Sequence, residues 1–351
     1  MYPNLTIDEK KLRDNCDYLS RLCDDHGISM LPVVKAFAGY LPGINIIASC
    51  GFCRIADSRL ENLKRMHALS QKKVLLRIPM PAEAEDVVRY TDISLNSELK
   101  TIRALNEAAK KNNTIHKIVL MFDVGDLREG VYHRSDYLKM TEEILSLTYI
   151  RLHGIGTNLT CYGGLIPSEA IDSRLATIKM KIETAFSIRL KIISGGNSSS
   201  IPLLFKGKIH PDINELRLGE SLLLGRETAY GTRIKNMHPD VFCLKAELIE
   251  VKTKPSYPDG DIGMNSFGEK PAIHDEGMMK RGLLAIGKQD VNLTHLTPLD
   301  DIRILGGSSD HLIADLKGHD YEVGDFLRFS VNYPALVHLM NSAYVHKTIK
   351  K

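Results

Sequence analysis

The chain has 351 residues, 43% hydrophobic and 25% charged, enough for more than one domain around a large core. Its 46 basic and 43 acidic residues leave a net charge of +3, which disfavours nucleic acid or an anionic membrane as a partner. No stretch approaches the roughly 18 apolar residues of a membrane helix, and the six cysteines and thirteen histidines show no metal spacing. With no apolar signal core at the N-terminus, a cytoplasmic protein with reduced thiols and no metal is expected.

In chain order, Asp8 is placed to cap a first helix. Leu12, Cys16, Leu19 and Cys23 share one face of it, and His26-Gly27 ends it. The next run, 28–34, is too short and too β-branched for a helix and reads as a strand. Further strands are predicted over 52–56, 74–78, 92–95, 117–122, 150–155, 190–193 and 213–218, with amphipathic helices such as 99–109 and 171–186 between them. Eight strand–helix units predict an α/β fold, a (β/α)8 TIM-like barrel over residues 1–235. The texture then changes. Runs at 241–252, 281–286, 302–305, 311–315 and 326–331, separated by Pro/Gly/Asp turns, predict a mostly β C-terminal domain over 236–351.

A barrel of this kind collects reacting groups at the C-terminal ends of its strands. Those ends carry Lys35, Asp57-Ser58-Arg59, Asp123 with Arg128, and Thr157-Asn158. The seventh opens into Gly195-Gly196-Asn197-Ser198-Ser199-Ser200, and the eighth ends in Arg217-Leu218-Gly219-Glu220-Ser221. Small residues after a strand and before a helix let N–H groups and hydroxyls approach a phosphate. A lysine that ends an apolar strand is ordinarily a solvated strand end. Facing a phosphate loop and an arginine, it is suited instead to a Schiff base with pyridoxal phosphate.

These residues resemble a known family. Val33-Val34-Lys35-Ala36 is similar to the pyridoxal-phosphate lysine motif of alanine racemases, two-domain barrel-plus-β enzymes. The segment 122–130 resembles their D-x-G-x-x-R-x-G, Arg217-Leu218-Gly219 their R-x-G, and Ser308-Ser309-Asp310 the S-M-D of their β domain. Tyr333 resembles a tyrosine that touches the phosphate. Segments 55–59, 156–164, 195–200 and 225–231 look like the ornithine racemase branch of that family. Three positions depart from the pattern. Gly39 stands where the alanine racemases carry a tyrosine, and Met121 where they carry a lysine that is often carbamylated. Ile286-Gly287-Lys288-Gln289-Asp290 stands where their second catalytic tyrosine lies.

The resemblance implies a pyridoxal-phosphate-dependent amino-acid racemase with Lys35 as the cofactor lysine and as the base on one face of the substrate. Asn197, Ser198, Ser199, Gly219, Glu220, Ser221 and Tyr333 would hold the phosphate, with Arg217 beside the ring nitrogen. Arg128, Asn158, Ser309 and Asp310 would face the substrate. Asp290, Lys288 and Cys161 remain open as the second base. Ornithine is the expected substrate, with lysine, alanine or serine behind it, and Asp126, Glu129, Glu220, Glu227 and Asp310 are the acids available to a distal ammonium. The resemblance also implies a homodimer. Two rivals are a decarboxylase of the same two-domain plan, whose H-G-x-G-G and C-E-S-x-D runs are absent, and a non-catalytic pyridoxal-phosphate homeostasis protein, typically a single barrel.

Overall fold

The computed structural model describes residues 2–265, 267–270 and 272–351. It comprises two compact units: Lys10–Pro239, and Asp240–Lys351 together with the N-terminal segment.

In the first unit eight parallel strands follow one another around a barrel: Ser29–Pro32, Arg54–Asp57, Lys72–Leu75, Ile93–Asn96, His116–Asp123, Ile150–Gly156, Ile192–Ser194 and Glu215–Leu218. The eighth pairs with the first, Glu215 opposite Ser29. A single parallel bridge, Val33 to Ala56, closes the first onto the second, with Val34 N–H donating to Ala56 O at 2.8 Å. Inward side chains alternate along each strand. The interior is therefore a packed column that includes Leu31, Val33, Ala56, Val74, Ile93, Leu95, Val119, Met121 and Ile192. Glycine is required at position 154, where an added Cβ would lie 2.1 Å from Ile192 O and force the sixth and seventh strands apart. The outer layer contains helices such as Glu9–Asp24, whose buried Leu12, Cys16, Leu19 and Cys23 are the expected face, and Leu99–Lys111 and Glu169–Phe186.

The second unit is built on one antiparallel path, in the order Leu296–Pro298, Phe326–Val331, Phe242–Pro255, Met278–Leu284, Leu312–Asp315 and Arg303–Gly307. Residues Asn4–Asp8, which the alternating pattern assigned to the barrel half, form a strand here. That strand runs antiparallel to Phe242–Pro255 and parallel to His346–Lys350. Leu5 and Ile7 are fully buried while the residues flanking them are partly exposed, the period-two signature of a strand with one covered face. A helix, Tyr333–Asn341, interrupts the β texture where no helix was expected. Asn332 caps it through Ala335 N–H at 3.1 Å, and Pro334 occupies its first turn.

No described helix is long and apolar enough to cross a membrane.

Candidate active site

Lys35 opens a short 3-10 turn, Lys35–Phe37, immediately after the bridge that closes the barrel. Its side chain is exposed to the mouth, and its ammonium has no hydrogen-bond or ion-pair partner among the described residues. Desolvation holds its pKa below the ordinary lysine value. Arg128 and Arg217 push the same way, opposed by Cys161 and Asp57. Asp57, buried at the end of the second strand, accepts from Arg59 N–H at 2.8 Å and Asn62 Nδ2 at 3.1 Å. Burial nevertheless raises its pKa to about 6.

The loop after the seventh strand is buried apart from the partly exposed Asn197, with Ser198, Ser199 and Ser200 at most 3% exposed. Asn197 shapes it by accepting Ser199 N–H at 2.9 Å while donating to Leu159 O at 2.9 Å. Ser198 and Ser221 hydroxyls meet at 3.0 Å, which joins this loop to the turn after the eighth strand. Gly219 sits against Val33; an added Cβ would come within 3.3 Å of that side chain. Ser199 Oγ and Thr157 Oγ1 are buried hydroxyls with no partner among the described residues. A buried hydroxyl left unsatisfied costs roughly 1–3 kcal/mol, so its presence suits a bound acceptor. An unpartnered hydroxyl beside the paired Ser198 and Ser221 fits a phosphate, and the unpartnered lysine fits an aldehyde. These residues therefore suit pyridoxal phosphate.

Arg217 is almost fully buried on the eighth strand, and it forms no ion pair among the described residues. It donates through Nη1 to Ser194 Oγ at 2.5 Å, and through Nη2 to Thr157 O at 2.6 Å and Asn158 Oδ1 at 2.5 Å. Burial lowers its pKa, with Glu215 opposing. Asn158 passes the contact on, its Nδ2 donating to Glu129 Oε1. Glu129 in turn takes Arg128 by the Nε and Nη2 edge, the Nη2 contact at 2.6 Å. An amide suits this middle position because Arg217 only donates and Glu129 only accepts. The barrel thus brings Asn158 to Arg217 and Glu129. Composition alone had no means of finding Ser194 or the bridging role of Glu129.

Cys161 is exposed on the loop after the sixth strand, 3.4 Å from Asn197 Nδ2. Asp126, 1% exposed, holds that loop: its carboxylate accepts from Cys161, Tyr162 and Leu165 N–H, each at 3.0 Å.

The remaining expected residues lie in the second unit. Asp290 is buried and accepts Ser342 Oγ at 2.7 Å. Lys288 pairs with Glu269 at 3.0 Å and lies 4.3 Å from the centre of the Phe267 ring. Asp310 takes Gln289 Nε2 at 2.7 Å, Ser309 O takes Gln289 N–H at 3.1 Å, and Tyr333 begins the unexpected helix. Met121 packs in the barrel core.

Of the five acids considered for a distal ammonium, Asp126, Glu129 and Asp310 are engaged as described. Glu227 is held by Ala229 and Thr232, at 2.8 and 2.6 Å. Glu220 alone has a carboxylate without a hydrogen-bond or ion-pair partner among the described residues. It is half-buried, and desolvation raises its pKa, opposed by Arg226 and Lys35.

Residues 7–227 match the model of the alanine racemase N-terminal domain. The chain is 48% identical to an ornithine racemase from Acetoanaerobium sticklandii over 99% of its own length and all of that protein. It is 35% identical to a lysine racemase from Thermotoga maritima, covering 99% of this chain and 98% of that one. An alanine racemase structure from Clostridium difficile 630 superposes with a TM-score of 0.79 at 17% identity, over 100% of this chain and 96% of that one.

Proposed function

The chain belongs to the alanine racemase family, and from that premise we propose that it interconverts L- and D-ornithine with pyridoxal phosphate as cofactor. The observation that carries this reading is the unpartnered Lys35 in a barrel unit that also supplies the Ser199 hydroxyl without a partner and a buried Arg217. The choice of ornithine follows from the relative that is 48% identical over the full length.

Lys35 would hold the cofactor covalently, Ser198, Ser199, Gly219 and Ser221 its phosphate, and Arg217 its ring nitrogen. When bound, pyridoxal phosphate supplies an electron-withdrawing ring that acidifies the substrate's α-carbon. Once a substrate amine has displaced it, Lys35 Nζ would remove or return the α-proton on one face, a role helped by its lowered pKa. Arg217 can only donate; Nη1 donates to Ser194 and Nη2 to Thr157 and Asn158, which fixes the guanidinium and leaves Nε and the second Nη1 hydrogen for the ring nitrogen. It therefore offers the ring nitrogen no proton acceptor, and holds this site to proton exchange. Arg128, gripped by Glu129 along its Nε and Nη2 edge, keeps its Nη1 edge for the substrate carboxylate. Glu220 is assigned the distal ammonium, being the one of the five acids considered whose carboxylate has no partner among the described residues. Cys161 Sγ is assigned the proton on the opposite face, because it lies exposed on a strand-end loop of the barrel unit beside Asn197, whereas Asp290 is buried against Ser342 and Lys288 pairs with Glu269.

We extend the reading to a cytoplasmic homodimer. Six free cysteines support a reducing setting, and Ser309 and Asp310 would then serve the partner's site.

The deciding experiment pairs the visible spectrum of the purified protein with α-proton exchange of L-ornithine in D2O and its optical rotation. A yellow protein that loses its colour in Lys35→Ala, exchanges the α-proton and loses rotation is the expected outcome. A colourless protein that cannot be reconstituted would sink the cofactor assignment, and CO2 release would indicate the decarboxylase.

A further inference from the structure

Strand periodicity assembles a second group of charges at the other end of the barrel. Ala56, Val74 and Val119 point into the barrel core. Two residues earlier on the same strands, and so on the same inward rows, stand Arg54, Lys72 and Lys117. Barrel layers are ordinarily filled by bulky branched residues, whereas this lowest layer is cationic. Register aligns it, with Arg54 opposite Lys72 and Ile93 opposite Lys117. Lys191 N–H binds His153 O at 2.9 Å and brings the seventh strand to the same level. These residues line one cavity of about 340 Å3.

The charges there are not balanced. Arg54 pairs with Glu215 at 2.6 Å, while Lys72, Lys117 and Lys191 form no ion pair among the described residues. No carboxylate is among the described residues that line the cavity. Lysines at strand ends are commonly solvated, and Lys72 and Lys191 are exposed. Arg54 and Lys117 are half-buried, however, and all four cations converge on one concavity. His153 between them reports the field: its pKa is depressed to about 4, first by burial and then by Lys117, Arg54, Arg151 and Lys191. A concave site lined by one sign of charge concentrates counter-ions.

We propose that this cavity binds a small oxyanion carrying two or more negative charges, of the phosphate class, at the barrel face opposite Lys35. The site is independent of the racemase reading, because no residue named in that reading lines it.

The test follows histidine resonances of the holoenzyme by NMR during titration with inorganic phosphate, against potassium chloride of equal ionic strength. His153 is assigned by its loss in His153→Gln. The expected result is a saturable shift with the His153 pKa rising by roughly one unit or more as the anion offsets the lysines. Lys72→Gln with Lys117→Gln should weaken phosphate binding at least about tenfold. Lys117→Gln with Lys191→Gln gives an independent second pair, and melting curves check that both are folded. No saturable response, an equal response to chloride, or undiminished binding in both folded variants would overturn the proposal.

Discussion

Cys161 owes its position to a carboxylate 35 residues earlier in the chain. Asp126 spends its acceptor capacity on three N–H groups of the 161–165 loop and so presents the thiol at a fixed place beside Asn197. A small packed thiol would be buried, and this one is exposed. If Cys161 serves the face opposite Lys35, Cys161→Ala should slow racemisation by at least about 100-fold. Lys35 would still exchange, with retention, the α-proton of the one enantiomer that presents it to Lys35, so with L- and D-ornithine tested in turn NMR exchange in D2O and optical rotation should part company for one of them. Loss of rotation at the wild-type rate would remove Cys161 from the mechanism. At the other end of the substrate, Glu220→Gln should raise KM for ornithine about tenfold or more, the scale of one lost charge-assisted hydrogen bond. Alanine, with no distal ammonium, should be indifferent to the change, and steady-state kinetics on both substrates makes the comparison.

Among the elements, the N-terminal strand is the instructive one. Five residues hold too few periods for alternation to declare itself, and Asp8 also serves as a plausible helix cap, so a lone sequence favours the helix that follows. What makes Asn4–Asp8 a strand is pairing with Phe242–Pro255 and His346–Lys350, partners more than 230 residues away. Ile7 is fully buried there, so Ile7→Ala should cost about 2–5 kcal/mol, seen as a lowered denaturant midpoint. Limited proteolysis should then open the β-rich unit before the barrel. An unchanged midpoint would mean that the strand adds little to that unit. The barrel strands behaved differently, because each is a short run with buried apolar residues and helices lie between them along the chain. Their ends shifted by a few residues, as at Lys72–Leu75 against an expected 74–78.

For the molecule as a whole, the family resemblance implies two chains per active assembly. Sedimentation equilibrium should give about twice the 39.3 kDa chain mass, and a variant held monomeric should be inactive. Full activity in a stable monomer would refute this. The alternation of strands and helices in the barrel and the small-residue loop after its seventh strand were legible in the sequence, because hydrophobic period and small-residue loops are local properties. Which polar groups meet across the barrel was not. Asn158 joins Arg217 to Glu129, Asp126 holds the Cys161 loop, and Arg54, Lys72 and Lys117 share one layer only because parallel register brings distant strands to a common height. Donor and acceptor matching between residues far apart in sequence is a property of that register, and only the tertiary structure decided it.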